Sequence, residues 1–188
     1  MILGLVSFIG AGKDTVASYL VKKGFIHRSL SDEIRDELKK RKLPETRDNL
    51  INVGNELRKK FGNDVLAKRA FEKIKKLNKH AIISSIRNAG EVKFFKKQPE
   101  FILVEIYCPL EIRYKRLKKR NRIGDIKSFK EFLLSEKREQ ASDPSKQQIH
   151  KVIKLADLKI NNSGTIKQLQ NNTDNLINKI NKGGKGQK

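Results

Sequence analysis

Met1-Ile-Leu-Gly-Leu-Val-Ser-Phe-Ile-Gly-Ala-Gly-Lys-Asp-Thr15 opens the chain. Its first nine residues form a near-continuous apolar run, the pattern of a strand covered on both faces of a parallel sheet. A glycine-rich turn follows. Residues 13–23 then place Val16, Ala17 and Leu20 on one face of a helix. In a strand–turn–helix unit of this kind, glycines let backbone N–H groups converge on an anion. The N-terminus of the helix adds its positive end. Gly10, Ala11, Gly12, Lys13, Asp14 and Thr15 therefore predict a phosphate-binding loop, with Lys13 able to reach the β- and γ-phosphates of a nucleotide.

The loop departs from the usual G-x-x-x-x-G-K-[ST] pattern in two places. Ser7 stands where the first glycine is expected, and Asp14 stands where the hydroxyl is expected, with Thr15 one position later. A carboxylate at that point can hold magnesium directly or through water. Asp14 and Thr15 are thus the candidate metal ligands, and ATP binding should depend strongly on the metal. An ordinary glycine turn is the bland alternative, and the Gly12-Lys13 pair ahead of a helix argues against it.

Downstream, apolar runs alternate with charged amphipathic stretches. Strands are expected at 25–30, 81–86, 101–108 and 158–160, with helices between them, several opening on Ser31, Thr46, Asn63 or Ser163 as N-caps. This predicts an α/β fold of three layers: a five-stranded, mostly parallel sheet with helices on both faces and a short lid. One domain should span 1–180. Within it, 31–78 form a helical region, 117–142 hold the lid, and 181–188 form a disordered tail.

The totals bound the function. The chain has 188 residues and carries 43 Lys and Arg against 21 Asp and Glu, a formal net charge of +22. Such a surface attracts anions, whether nucleotides or nucleic acid. The excess is mostly lysine with few interleaved aromatics, so a solvated surface is the simpler reading and a dedicated nucleic-acid face the lesser one. A single cysteine, Cys108, excludes an internal disulfide and suits a reducing compartment. The apolar opening lacks the layout of a signal peptide and is far shorter than a membrane span of about 20 residues. A cytoplasmic protein is expected. His27, His80 and His150 show no metal-binding spacing and read as structural or surface residues.

The motifs have a familiar look. Gly10-Ala-Gly-Lys-Asp-Thr15 resembles the GKDT variant of the phosphate loop in deoxynucleoside monophosphate kinases and related archaeal kinases. Ser29-Leu-Ser-Asp32 resembles the segment where dephospho-CoA kinases and nucleotide kinases place an acidic residue after strand two, and Thr46 to Gly54 with Leu57-Arg58 and Gly62 to Ala67 resemble the acceptor-binding helical region of the archaeal kinases. Ile83-Ser-Ser-Ile-Arg-Asn-Ala-Gly-Glu91 resembles a motif usually written DGIRNPGE, with Ser84 where the family has an acid. Ile160-Asn-Asn-Ser-Gly164 resembles the loop that packs on adenine. Over nearly the whole chain the likeness is to the nucleoside monophosphate kinase-like group of P-loop kinases, with dephospho-CoA kinase as a close relative.

This resemblance implies ATP and Mg²⁺ as cofactors. It also implies transfer of the γ-phosphate to a small nucleotide-like acceptor, a (deoxy)nucleoside monophosphate or alternatively dephospho-CoA. Asp32, Arg35, Arg47, Arg58 and Arg87 would serve the acceptor, since arginine can grip phosphate with two parallel hydrogen bonds. Arg113, Arg116 and Arg120 share a helical face, from which Arg116 and Arg120 would close over ATP. Asn162 would lie against it. Lys13, Asp32, Arg87, Arg116 and Arg120 make up the expected catalytic set. A ribosome- or RNA-associated P-loop ATPase is the competing reading from another class.

Overall fold

The computed structural model describes residues 1–77, 79–120, 128–138 and 147–183. Five strands form one sheet in the order β2-β3-β1-β4-β5: β1 (Ile2–Val6), β2 (Ile26–Ser29), β3 (Ala81–Ser84), β4 (Phe101–Tyr107) and β5 (Leu158–Asn161). All four pairings are parallel, so the sheet is more uniform than the mostly parallel one expected. β1 lies at the centre. Its alternate residues supply both faces: Leu3 and Leu5 pack with Val16, Ala17, Leu20, Ile160 and Leu169 on one side. Val6 packs on the other with Leu30, Leu57, Leu66, Ile83 and Phe95.

Helices α1 (Lys13–Lys22) and α9 (Ile166–Gly183) cover the first face. The second is covered by α2 (Leu30–Lys40), α3 (Arg47–Phe61), α4 (Val65–Ile74), α5 (Ala89–Phe95) and, later in the chain, α8 (Ile149–Lys154). Helices α6 (Leu110–Arg120) and α7 (Phe129–Arg138) pack on each other, α6 reaching the turn after β1 through Arg113, and Phe132 is fully buried among Tyr114, Phe129 and Arg113. The expected lid falls partly on α6 and α7; residues 121–127 and 139–142 lie outside the described residues, as do 184–188 of the expected tail. Among the described residues, no helix is long and apolar enough to cross a membrane.

Three caps differ from expectation. Helix α2 begins at Leu30, whose side chain belongs to the core, and Ser29 is its cap in place of Ser31. Asp32 completes a capping box, its Oδ2 accepting from the Ser29 N–H at 3.0 Å. Helix α9 is capped by Thr165, not Ser163: the Gln168 N–H donates to Thr165 Oγ1 at 3.2 Å and Gln168 Oε1 accepts from the Thr165 N–H at 2.8 Å. Asp64, not Asn63, sits at the start of α4 and makes no side-chain cap.

The second layer is tied to the sheet by one buried carboxylate. Glu91 is 0% exposed. Its Oε1 accepts from Arg58 Nε at 2.9 Å and from a terminal guanidinium nitrogen at 2.8 Å. Its Oε2 accepts from the backbone N–H groups of Arg87 at 2.8 Å and Asn88 at 3.0 Å. One side chain thus fixes α3, the turn after β3 and the start of α5. A buried charge left without its partner is costly, so Glu91→Ala should lower the unfolding free energy by about 3–5 kcal/mol in urea titrations. The double variant Arg58→Met/Glu91→Gln should lose clearly less, because no charge stays buried and the introduced amide can still accept from the turn through its carbonyl.

Candidate active site

The turn between β1 and α1 wraps the carboxyl edge of the sheet, where β1 sits between β3 and β4. Gly12 adopts φ +94° at the N-cap of α1, whose first turn has no side-chain cap. Glycine is required there twice over, because a Cβ at Gly12 would also overlap the Asn162 amide nitrogen. That side chain is only 5% exposed and donates through Nδ2 to the Ala11 carbonyl at 2.7 Å. Asn162, expected against ATP, therefore braces the loop from beneath.

Arg113 does the same from α6. It is buried and donates to the carbonyls of Ile9 and Cys108, each at 3.1 Å, while pairing with Glu136. Arg116 donates to the Asn162 carbonyl at 2.9 Å and to that of Gly164 at 3.1 Å. Unlike Arg113, it also faces the cavity over the loop.

That cavity measures about 530 Å³. Residues 7–15 form one wall, and Arg116 and Arg120 stand on another. His27, Ser29, Ser84 and Ser85, from the ends of β2 and β3, also line the cavity. A smaller cavity of about 190 Å³ adjoins it, lined by Arg47, Arg58 and Arg87 together with Leu30, Ile34 and Leu50. Ile9, Ser31, Ser85 and Arg87 line both.

The sequence-predicted residues thus separate into groups. Gly10 to Thr15, Arg116, Arg120 and Arg87 meet at the larger cavity, and Arg47 joins Arg87 at the smaller one. Arg58 lines the smaller cavity but is 3% exposed and committed to Glu91, so its guanidinium is a support for that wall and not the open grip expected of it. Asp32 is not among the lining residues; it caps α2 and pairs with Arg35 at 2.9 Å. Arg35 reaches the larger cavity while also held by Glu45 at 2.6 Å.

Asp14 is 78% exposed and lies 2.5 Å from Lys13 Nζ. Loss of some hydration to neighbouring protein groups acts to raise its pKa although the side chain is exposed, but the Lys13 ammonium, with smaller help from His27 and Arg120, outweighs it and holds the carboxyl below its usual range. Asp14 is therefore an ionised oxygen donor beside the Thr15 hydroxyl. Among the described residues no cluster of three or more His, Cys, Asp or Glu could hold a metal. One carboxylate with hydroxyls suits magnesium all the same, because that ion keeps much of its water and takes further oxygens from substrate phosphates.

His27, read from sequence as structural or surface, is part of the site. Its Nε2 lies 2.8 Å from Ser84 Oγ. Ser84 occupies the place of the expected acid and is buried. Ser29 Oγ donates to Ser85 Oγ at 2.8 Å. The parallel register pairs Ser29 with Ser84, and His27 lies two residues earlier on β2. Ser85 has φ +59°, a conformation that favours glycine, which is why the similar motif has glycine at this position.

A family model described as an AAA domain matches residues 4–141. UPF0200 protein PH1008 of Pyrococcus horikoshii is 31% identical over 186 residues, covering 96% of this chain and 97% of its own. The chain belongs to the UPF0200 family and carries an AAA domain. The UPF0200/UPF0201 protein of Archaeoglobus fulgidus is 34% identical over 169 residues, 86% of this chain, which spans about half (51%) of that protein's length.

Among solved structures, TT1252 from Thermus thermophilus superposes with a TM-score of 0.61 at 18% identity, over 95% of this chain and 97% of that one. Dephospho-CoA kinase from Campylobacter jejuni gives 0.57 at 18% identity, over 97% and 98%. Shikimate kinase from Bacteroides thetaiotaomicron gives 0.59 at 14%, over 96% and 98%. These likenesses show the P-loop kinase fold, so this UPF0200 protein has a P-loop kinase-like domain.

Partial burial of the His27 ring, and then the nearby Lys13 charge, push its pKa below the ordinary 6.5, with Asp32 and Asp14 opposing. The imidazole should be neutral at pH 7 and titrate by NMR with a midpoint below 6.5. A lowered value disfavours the charged form, so stability should fall as pH drops through 6.5 towards the folded-state value. Lys13→Met removes one of the two lowering causes and should move the midpoint upward; a wild-type midpoint at or above 6.5 would contradict this account.

Proposed function

We propose that this protein is an ATP-dependent phosphotransferase acting on a small phosphorylated acceptor, a (deoxy)nucleoside monophosphate. The observation that carries this reading is the meeting of two cavities at Ser31, Ser85 and Arg87. One is walled by a phosphate loop, the other by arginines and apolar side chains. A single-substrate ATPase has no need of the second.

In this reading the loop N–H groups and Lys13 bind the β- and γ-phosphates of ATP, while Arg116 and Arg120 face them across the cavity. Arg87 and Arg47 hold the acceptor phosphate so that one of its oxygens lies in line with the γ-phosphorus. The new P–O bond forms as the β–γ bridge breaks and ADP departs. Catalysis then consists mainly of positioning and of neutralising charge on the transferred group. Magnesium, held by Asp14 and Thr15, would supply further charge neutralisation on the phosphates. Lys13 must exchange part of its contact with Asp14 for phosphate, and a cation on Asp14 eases that exchange. His27 and Ser84 offer neutral polar groups on the wall where the resembling kinases have an acid, so they orient without repelling the incoming phosphate.

Several features support a compact acceptor. The smaller cavity is about 190 Å³, and Leu30, Ile34 and Leu50 give it an apolar side suited to a base or sugar edge. Dephospho-CoA, the larger alternative, belongs in the same assay because the enzyme that uses it shares this fold.

The test is ADP release from Mg-ATP with a panel of nucleoside and deoxynucleoside monophosphates and dephospho-CoA. Stimulation by one monophosphate is expected; no stimulation by any acceptor would sink the proposal. Lys13→Ala should lower turnover by about 10²–10³-fold, the scale of a lost donor to developing charge. Arg87→Ala should raise the acceptor KM by about tenfold or more with little change in the KM for ATP, and the reverse pattern would remove Arg87 from the acceptor side. Chelating magnesium should weaken ATP binding sharply.

A further inference from the structure

A third cavity of about 640 Å³ shares no lining residue with either active-site cavity. Its walls come from the start of α5, the corner between α3 and α4, and the start of α8. We infer that this cavity is a binding site for a small, multiply charged phosphate ligand, held by Lys93, Lys97 and Lys151.

Charge is the first argument. The three lysines are exposed and line the cavity, and none of them makes an ion pair within the described residues. The one carboxylate in the wall, Asp64, is engaged by Lys68 at 3.0 Å. Three like charges around one hollow repel each other, and a polyanion relieves that repulsion. Ammonium groups act as point charges without the planar fork of arginine, which suits a ligand with several phosphate oxygens more than a single carboxylate.

Construction is the second argument. The cavity is concave and of the size of small-molecule sites, which a merely solvated lysine surface is not. Its shape is fixed by backbone. A Cβ on Gly90 would stand 2.7 Å from Asn63 Cβ and 3.0 Å from the Asn63 carbonyl oxygen, so only glycine lets the α3–α4 corner close on the turn. Asn88 and Gln148, both buried, bring amide groups to the wall, and Phe94 adds an apolar surface.

The site also abuts catalytic structure. Asn88 follows Arg87 directly, and the Gln148 N–H donates to the Arg87 carbonyl at 2.7 Å. A bound ligand therefore touches the turn that presents Arg87 to the other two cavities.

The experiment uses the full chain carrying Lys13→Ala, which weakens phosphate binding at the loop. Inorganic pyrophosphate and ADP are titrated separately and followed by amide NMR. Saturable shifts at Gly90, Lys93 and Lys151 are expected, and Lys93→Ala/Lys97→Ala/Lys151→Ala should weaken them at least about tenfold. Equal shifts with both probes identify the phosphates alone as the ligand, whereas tighter ADP binding with shifts at Phe94 identifies a nucleotide. A control triple, Lys39→Ala/Lys40→Ala/Lys59→Ala, removes the same charge elsewhere and should leave binding unchanged. The inference falls if the shifts do not saturate, if the control weakens them equally, or if an RNA oligonucleotide engages these lysines while both small probes do not.

Discussion

A carboxylate cut off from water stays ionised only if protein groups replace the lost hydration on both its oxygens, and Glu91 meets that demand. One oxygen takes two guanidinium donors from Arg58; the other takes two backbone N–H groups from Arg87 and Asn88. Because all four partners must be present together, the carboxylate sets the distance between α3 and the turn after β3. Both cavities of the active site take a wall from that turn. A helix in one layer, a strand end in another and Arg87, which lines both cavities, are thereby placed by one buried group. Buried ion pairs are often neutral in stability, and here the stronger consequence is geometric.

The phosphate loop depends on a second set of buried polar contacts from the other end of the chain. Asn162 and Arg113 hold the carbonyls of Ala11 and Ile9, so the loop's acceptors are engaged by the protein itself. Arg116 links the two by bonding the carbonyl of Asn162 itself. The loop is thus tied to buried side chains from α6 and from the segment after β5. Under the proposed phosphoryl transfer, dipoles held in this way would need little reorganisation as charge develops on the transferred group. Asp14 adds a local opposite charge that holds the Lys13 ammonium at 2.5 Å.

How far the sequence could be read follows from the range of each interaction. Local signals were legible: the apolar run of β1, the glycines of the loop, the Thr46 cap and the alternation that gives a parallel sheet all lie within a few residues. Long-range commitments were not. Arg58 and Arg47 look alike in sequence, and only the fold shows that Glu91, 33 positions away, claims one of them. Asp32 carries the marks of both a helix-start acid and a site residue, and the capping box accounts for its contacts. His27 reads in sequence as a structural or surface residue because its partner Ser84 lies on a neighbouring strand, and no spacing rule connects 27 with 84 until strand order is known. Ser85 in place of glycine hid the left-handed turn that a glycine would have announced.

The charge of +22 takes on a different meaning when mapped onto this frame. Arginine is concentrated where geometry matters, at the walls of the two active-site cavities and in the buried braces, because its fork fixes direction as well as charge. Lysine covers the helices and rims the third cavity, where it acts over distance. A positive surface raises the local concentration of anionic substrates and speeds their encounter, an effect that weakens with salt. Such a field does not by itself require nucleic acid, since a protein handling several phosphorylated ligands at once benefits from it equally. The field is non-specific, so discrimination must come from the concave sites, where fixed arginines, a shaped apolar wall and a preorganised loop sort what the surface has attracted.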